Sequence, residues 1–244
     1  TISTYMRMLR SIYNRGVDMH QAPYVHGLFR DVFTGVDTRQ KKAIPIGELH
    51  MLLNKDPQSE KLRRTQAIAN LLFQFCGMPF SDLAHLEKSN LERGLLKYNR
   101  TKTGTPMSIE VLESAQNAIG GLYNKSDARS SGYPDYLFRI LSGAYKRNEE
   151  GAYREYQSAL RRFNNELKSL SRKLRLHSPV TSYTLRHSWA TTAKYRGVPI
   201  EMISESLGHK SIKTTQIYLK GFELEERTKV NKLNYSYVCN FKML

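Results

Sequence analysis

Cysteines, acidic residues and long apolar runs are scarce in this 244-residue chain. Its two thiols, Cys76 and Cys239, cannot build a disulfide framework, so a reducing compartment is expected. No segment reaches the roughly 20 apolar residues that a membrane-spanning helix needs. The longest candidate, Ala67 to Met78, is broken by Asn70 and Gln74. A signal peptide is not expected either, because Arg7 and Arg10 lie inside an amphipathic pattern at the start. That pattern is already under way at Thr1, so we expect a fragment that lacks an N-terminal part. Internal repeats and low-complexity segments are also missing. The shortage of acid has the largest consequence: 22 Asp plus Glu stand against 38 Lys plus Arg, a net charge of +16. Self-repulsion of that size is relieved by a polyanion, of which nucleic acid is the commonest, with a solubilising surface or attraction to acidic membranes as the alternatives.

Within these limits the apolar residues fall mostly at helical spacings. Ile2, Tyr5, Met6, Leu9, Ile12 and Tyr13 predict a helix from Ile2 to about Val17. A polar connection from Asp31 to Ile44 follows, and Pro45 then suits the first turn of a helix over Ile46 to Asn54. Further helices are expected over Ser59 to Phe75, Leu112 to Leu122 and Tyr153 to Leu176, the last with a basic outer face. Leu91 to Tyr98 and Pro106 to Val111 read as a hairpin turning at Gly104, and Tyr136 to Leu141 as a short apolar strand or buried turn. Thr184 to Tyr195, Ile200 to Leu207 and Ser211 to Leu219 complete the helices, and Gly197 and Gly208 stop the first two. The class is mainly α with a small antiparallel sheet (α+β).

The informative stretch runs from Thr181 to Lys220. It holds Arg186-His187, then Leu207-Gly208-His209, then Thr214-Thr215 and Tyr218, nine residues after His209. This ordered set resembles the signature of the tyrosine recombinase (phage integrase) family, over about Ile44 to Tyr235. The variant with Tyr183 three residues before Arg186, where His is common, resembles recombinases of Bacteroidetes type. The resemblance implies a division into the end of a truncated helical core-binding domain (1–38), a linker (39–44), a catalytic domain (45–235) and a tail (236–244).

Each residue type suits phosphoryl transfer to a protein, which needs a nucleophile, donors for the charged transition state and an acid for the leaving oxygen. The resemblance implies that Tyr218 attacks a DNA phosphate to give a 3′-phosphotyrosine and a free 5′-hydroxyl, with no ATP, metal or other cofactor. Arg186 offers a planar fork of donors to phosphate oxygens. Its expected place in the first turn of a helix adds backbone amides. A ring nitrogen of His209 can reach the same phosphate, and Tyr183 can donate a hydrogen bond to it. His187 is expected to be a buried structural residue. Lys102, in the hairpin turn, resembles the family's mobile lysine and can protonate the departing oxygen. Arg100 is expected to touch the DNA backbone, with Arg10, Lys210 and Lys213 as further DNA contacts.

One departure from the family pattern is severe. The first catalytic Arg normally follows a Gly-x pair and precedes an acid by three residues, and Pro79 stands there, ahead of Asp82. Some relatives carry an Arg before the Gly instead, and that position is Cys76. Losing one preorganised donor costs roughly 10²–10³ in rate. Three readings stay open: another Arg fills the gap, the enzyme is slow, or Cys76 is an introduced substitution. A non-catalytic DNA-binding regulator and a nicking-closing topoisomerase are the alternatives to an integrase of a mobile element. Implied partners are double-stranded DNA, further protomers in a tetrameric synapse and accessory DNA-bending proteins, in the bacterial cytoplasm at the nucleoid.

Overall fold

The computed structural model describes residues 2–32, 43–125, 132–219 and 224–239. The expected linker lies largely outside these residues, as does the end of the tail. The chain divides into two compact units, Thr1–Gln40 and Lys41–Leu244.

In the first unit, α1 (Ile2–Asp18) ends near a turn held by Tyr13. The Tyr13 hydroxyl donates to the Pro23 carbonyl at 2.8 Å and accepts from the Val25 amide at 2.6 Å. The Tyr13 ring also tilts against Phe29. Ile2, Tyr5, Leu9 and Ile12 are all exposed, so the apolar stripe of α1 has little of this unit's own chain to pack on.

The second unit is built around α3 (Glu60–Gln74), whose Ile68, Ala69, Leu71 and Leu72 are buried. Around it pack α2 (Ile46–Asn54), α5 (Glu113–Leu122), α6 (Glu150–Lys173) and α7 (Ser182–Tyr195). Helix α6 buries Ala152, Ala159, Phe163, Leu167 and Leu170, spaced seven, four, four and three residues apart. That spacing makes one apolar stripe. Arg161, Lys168 and Arg172 remain exposed on the other side, as the pattern predicts.

A short helix that the sequence reading missed, α4 (Phe80–Ala84), is anchored by Phe80 stacked on Phe163, ring centroids 4.8 Å apart. Five residues carry too little periodicity to announce a helix. The sheet also differs in detail. The run Leu91 to Tyr98 is not one strand: it folds into β1 (Leu91–Glu92) and β2 (Leu95–Asn99), joined at Arg93-Gly94. Both turn residues have positive φ, 49° and 78°, the backbone that a two-residue hairpin requires. β2 then pairs antiparallel with β3 (Pro106–Glu110), in the register Leu96↔Ile109 and Tyr98↔Met107. Leu96 and Ile109 face the core while Lys97 and Ser108 face out. Tyr136 to Leu141 is a buried turn tied by single bridges, Glu87↔Tyr136 and Tyr123↔Phe138.

Beyond α7 the chain forms α8 (Ile200–Ser206), α9 (Ile212–Tyr218) and α10 (Leu224–Cys239). A separate small core of Ala190, Ile203, Leu207 and Leu219 clamps α7, α8 and the end of α9 together. Among the described residues no helix is long and apolar enough to cross a membrane. Truncating fully buried Leu72 to Ala should cost about 2–5 kcal/mol in denaturant unfolding. The same change at exposed Ile46 should stay within about 0.5 kcal/mol.

Candidate active site

The Leu-Gly-His motif is a helix stop with a consequence for chemistry. The Gly208 amide bonds the Glu205 carbonyl at 2.8 Å and the His209 amide bonds the Ser204 carbonyl at 3.0 Å. These two bonds, with Gly208 at φ 64°, are the Schellman closure of α8. The Leu207 carbonyl takes no part in them and faces inward, at the negative end of the helix. Arg186 from α7 donates to it through Nη2 at 2.6 Å. Arg100, at the end of β2, donates to the same oxygen through Nη1. Two guanidinium groups therefore meet at one carbonyl oxygen.

Both arginines are about 6% exposed, so each needs partners. Arg186 Nη1 donates to the Gly77 carbonyl at 2.9 Å. Arg100 Nε lies 2.7 Å from Asp82 Oδ2, an ion pair with both side chains buried. The other oxygen of Asp82 accepts the Thr101 amide at 3.2 Å, pinning the base of the hairpin loop. Glycines make the close approach possible at two points. A Cβ on Gly77 would lie 3.2 Å from the Arg186 Cα, and one on Gly208 would lie 2.7 Å from the Met107 sulfur.

His209 closes the group. Its Nε2 is 3.2 Å from Arg186 Nη2, and its Nδ1 is 2.8 Å from the Thr215 hydroxyl. Burial, then the positive charges of Arg186, Arg100 and Lys102, push its pKa down to about 4. The imidazole is neutral at physiological pH, first because it is buried and then because of these neighbouring cations. Lys102 itself stands exposed in the loop between β2 and β3, whose Thr103 hydroxyl reaches the Gly208 carbonyl at 3.5 Å. Three cations against the single carboxylate of Asp82 leave a surplus of positive charge suited to an anion.

The structure thus brings together Arg186, His209, Arg100 and, by its electrostatic effect, Lys102. Tyr218 is the last residue of α9, three residues after Thr215 and one before Leu219, both buried. Its side chain lies outside the described residues. Tyr183 is one turn before Arg186 on α7 and 41% exposed. Lys210 and Lys213 are exposed beside His209 and on α9, and Arg10 is exposed in the first unit. His187 is buried, as expected.

One expectation is corrected. Helix α7 begins at Ser182 with Thr181 as its cap, so Arg186 lies in the second turn rather than the first. The Leu185 amide already bonds the Thr181 carbonyl, so Arg186's own amide falls inside the helical ladder and the residue contributes only its side chain. Arg100 is buried, and its ion pair with Asp82 holds it in the pocket. The sequence did hold a signal for this. Asp82 keeps the acidic position of the family motif although Pro79 has replaced the arginine it would serve, so a partner from elsewhere was needed.

Two arginines, a histidine and a loop lysine thus make a positive pocket beside a helix that ends in tyrosine. The phage integrase family profile matches residues 46–224, and the chain belongs to that family. It is 28% identical over 204 residues to a probable integrase/recombinase of Methanocaldococcus jannaschii, covering 81% of this chain and 58% of that protein. It is 30% identical over 190 residues to tyrosine recombinase XerD of Halalkalibacterium halodurans, covering 74% and 57% respectively. The chain therefore spans under three fifths of the length of these curated relatives. The fold is shared with XerA recombinase, at TM-score 0.55 and 22% identity, covering 87% of this chain and 68% of that one. It is also shared with the Tn1549 transposon integrase bound to transposon right end DNA, at TM-score 0.59 and 15% identity, covering 93% and 77%.

The histidine gives a pH prediction. His209 titrates near 4 when folded, against an ordinary 6.5, so the unfolded chain binds the proton first as pH falls. Its contribution to stability should be lost between about pH 6.5 and 4. Melting temperatures of the DNA-free protein over that range should fall less steeply for His209→Asn than for the unmutated chain.

Proposed function

We propose that this chain cuts and rejoins DNA strands as a site-specific recombinase, through a 3′-phosphotyrosine at Tyr218. The observation that carries the reading is the convergence of Arg186 and Arg100 on the Leu207 carbonyl, with His209 alongside. A scissile phosphate entering this pocket takes up guanidinium donors, which match its planar pairs of non-bridging oxygens. The phenol oxygen of Tyr218 then attacks phosphorus and the bond to the 5′ oxygen breaks. The phenol proton passes to solvent or a nearby base, and Lys102 protonates the departing oxygen. The phosphodiester is exchanged for a phosphotyrosine ester, so no external energy source is needed. Reversal with a different 5′-hydroxyl rejoins the strand. Tyr183 adds a hydrogen bond from the outer side of the pocket.

Arg100 takes the role left open at Cys76 and Pro79, which supports catalysis over a purely regulatory DNA-binding role. We further propose that residues 1–38 are the end of a core-binding domain and that α10 and the tail contact a neighbouring protomer. The Tn1549 integrase structure contains DNA, and a λ integrase has been solved as a tetramer on a Holliday junction. By analogy the partners are double-stranded DNA and further copies of this chain, assisted by DNA-bending proteins. Lys210, Lys213 and Arg10 are positioned on exposed surfaces for phosphate contacts.

The test is covalent trapping on a library of nicked duplexes. The unmutated chain should give a denaturant-resistant protein–DNA adduct that Tyr218→Phe abolishes, and no adduct at any enzyme concentration would refute the reading. Arg100→Lys keeps the charge but loses the fork, and should slow adduct formation by roughly 10²–10³. Introducing Arg at Cys76 or Pro79 should give no gain, and a rise in yield would show that Arg100 does not fill the gap.

A further inference from the structure

We propose that Thr215 is a positioning residue that sets the tautomer and ring orientation of His209, and so couples the seating of the nucleophile's helix to the placement of the Arg186 guanidinium. The inference rests on the reading of Tyr218 and His209 given above. Arginine has only N–H donors, so with Arg186 Nη2 at 3.2 Å the Nε2 of His209 must offer its lone pair. In a neutral imidazole the proton then sits on Nδ1, and at 2.8 Å it is donated to the Thr215 hydroxyl. Thr215 is fully buried, so no water can substitute for that hydroxyl, and the ring is held from both sides.

The same residue is part of α9. Its carbonyl accepts the Leu219 amide at 2.8 Å, closing the last turn, which ends at Tyr218. Leu219 is buried in the small core with Ala190, Ile203 and Leu207. Thr215 therefore fixes the backbone beside the nucleophile through its main chain and the imidazole that accepts from Arg186 through its side chain. If α9 leaves its seat, His209 loses the acceptor on Nδ1 and Nε2 is no longer aimed into the pocket. Valine has nearly the same shape as threonine and cannot accept or donate the hydrogen bond, whereas serine can do both.

Two measurements test this. In ¹⁵N spectra of the DNA-free protein near pH 7, the His209 ring should carry its proton on Nδ1 in the unmutated chain and in Thr215→Ser, and lose that preference in Thr215→Val. In the covalent trapping assay, Thr215→Val should slow adduct formation roughly 10–100-fold, the range for losing a group that orients an imidazole, and Thr215→Ser should restore most of it. In a His209→Asn background the valine substitution should add little, because the hydrogen bond it removes is already gone. An unchanged ring spectrum in Thr215→Val, or an equal loss of rate with and without His209, would overturn the inference. If the unmutated chain forms no adduct, the recombinase reading fails, and the ring spectrum still decides the role of Thr215.

Discussion

Two buried arginines sharing the carbonyl oxygen of Leu207 are the arrangement on which the rest of the site depends. Like charges in a partly dehydrated pocket repel, and the penalty is offset only where each guanidinium finds compensation. Arg100 has the carboxylate of Asp82, and Arg186 has the Gly77 carbonyl. The shared carbonyl adds the negative end of α8. One carboxylate against two buried arginines and a nearby lysine leaves the pocket positive, and the depressed pKa of His209 follows from burial and that surplus together. The charge is preorganised before any anion arrives, which is how such sites stabilise a developing negative charge.

The scaffold holds that arrangement with two cores. The large one, centred on α3, carries the hairpin, α4 and the base of α7, and so places Arg100, Asp82 and Gly77. The small one clamps α8 and the end of α9 against α7, and so places the Leu207 carbonyl, His209 and the backbone of Tyr218. Arg186 is on the helix both cores share, so a shift between them would separate the two arginines. The catalytic reading therefore predicts packing constraints far stronger than the short α8 and α9 could impose alone.

Much of this was legible in the residues. Helix boundaries followed from periodicity and from glycine stops, because local backbone preference and the apolar stripe agreed at α2, α3 and α6. Leu207-Gly208-His209 was recognisable as a unit, but its physical role, closing α8 while leaving one carbonyl free, needed hydrogen-bond geometry. The two-residue turn at Arg93-Gly94 was lost inside an apolar run, since Arg is an uncommon residue at positive φ. The burial of Arg100 and its pairing with Asp82 were not legible, because a charged residue at the edge of a loop is usually solvated.

By itself the sequence determined the family, the mainly helical class and which side chains were chemically able to serve, because those depend on residue type, order and local spacing. Which arginine joins Arg186 at the Leu207 carbonyl was decided only by the tertiary structure. Arg100 is 86 residues from Arg186 and 107 from Leu207, and it meets them because β2 and α4 pack on the same core. Contacts between distant segments are set by packing and by the need to neutralise buried charge, and no local pattern encodes where those conditions will be met.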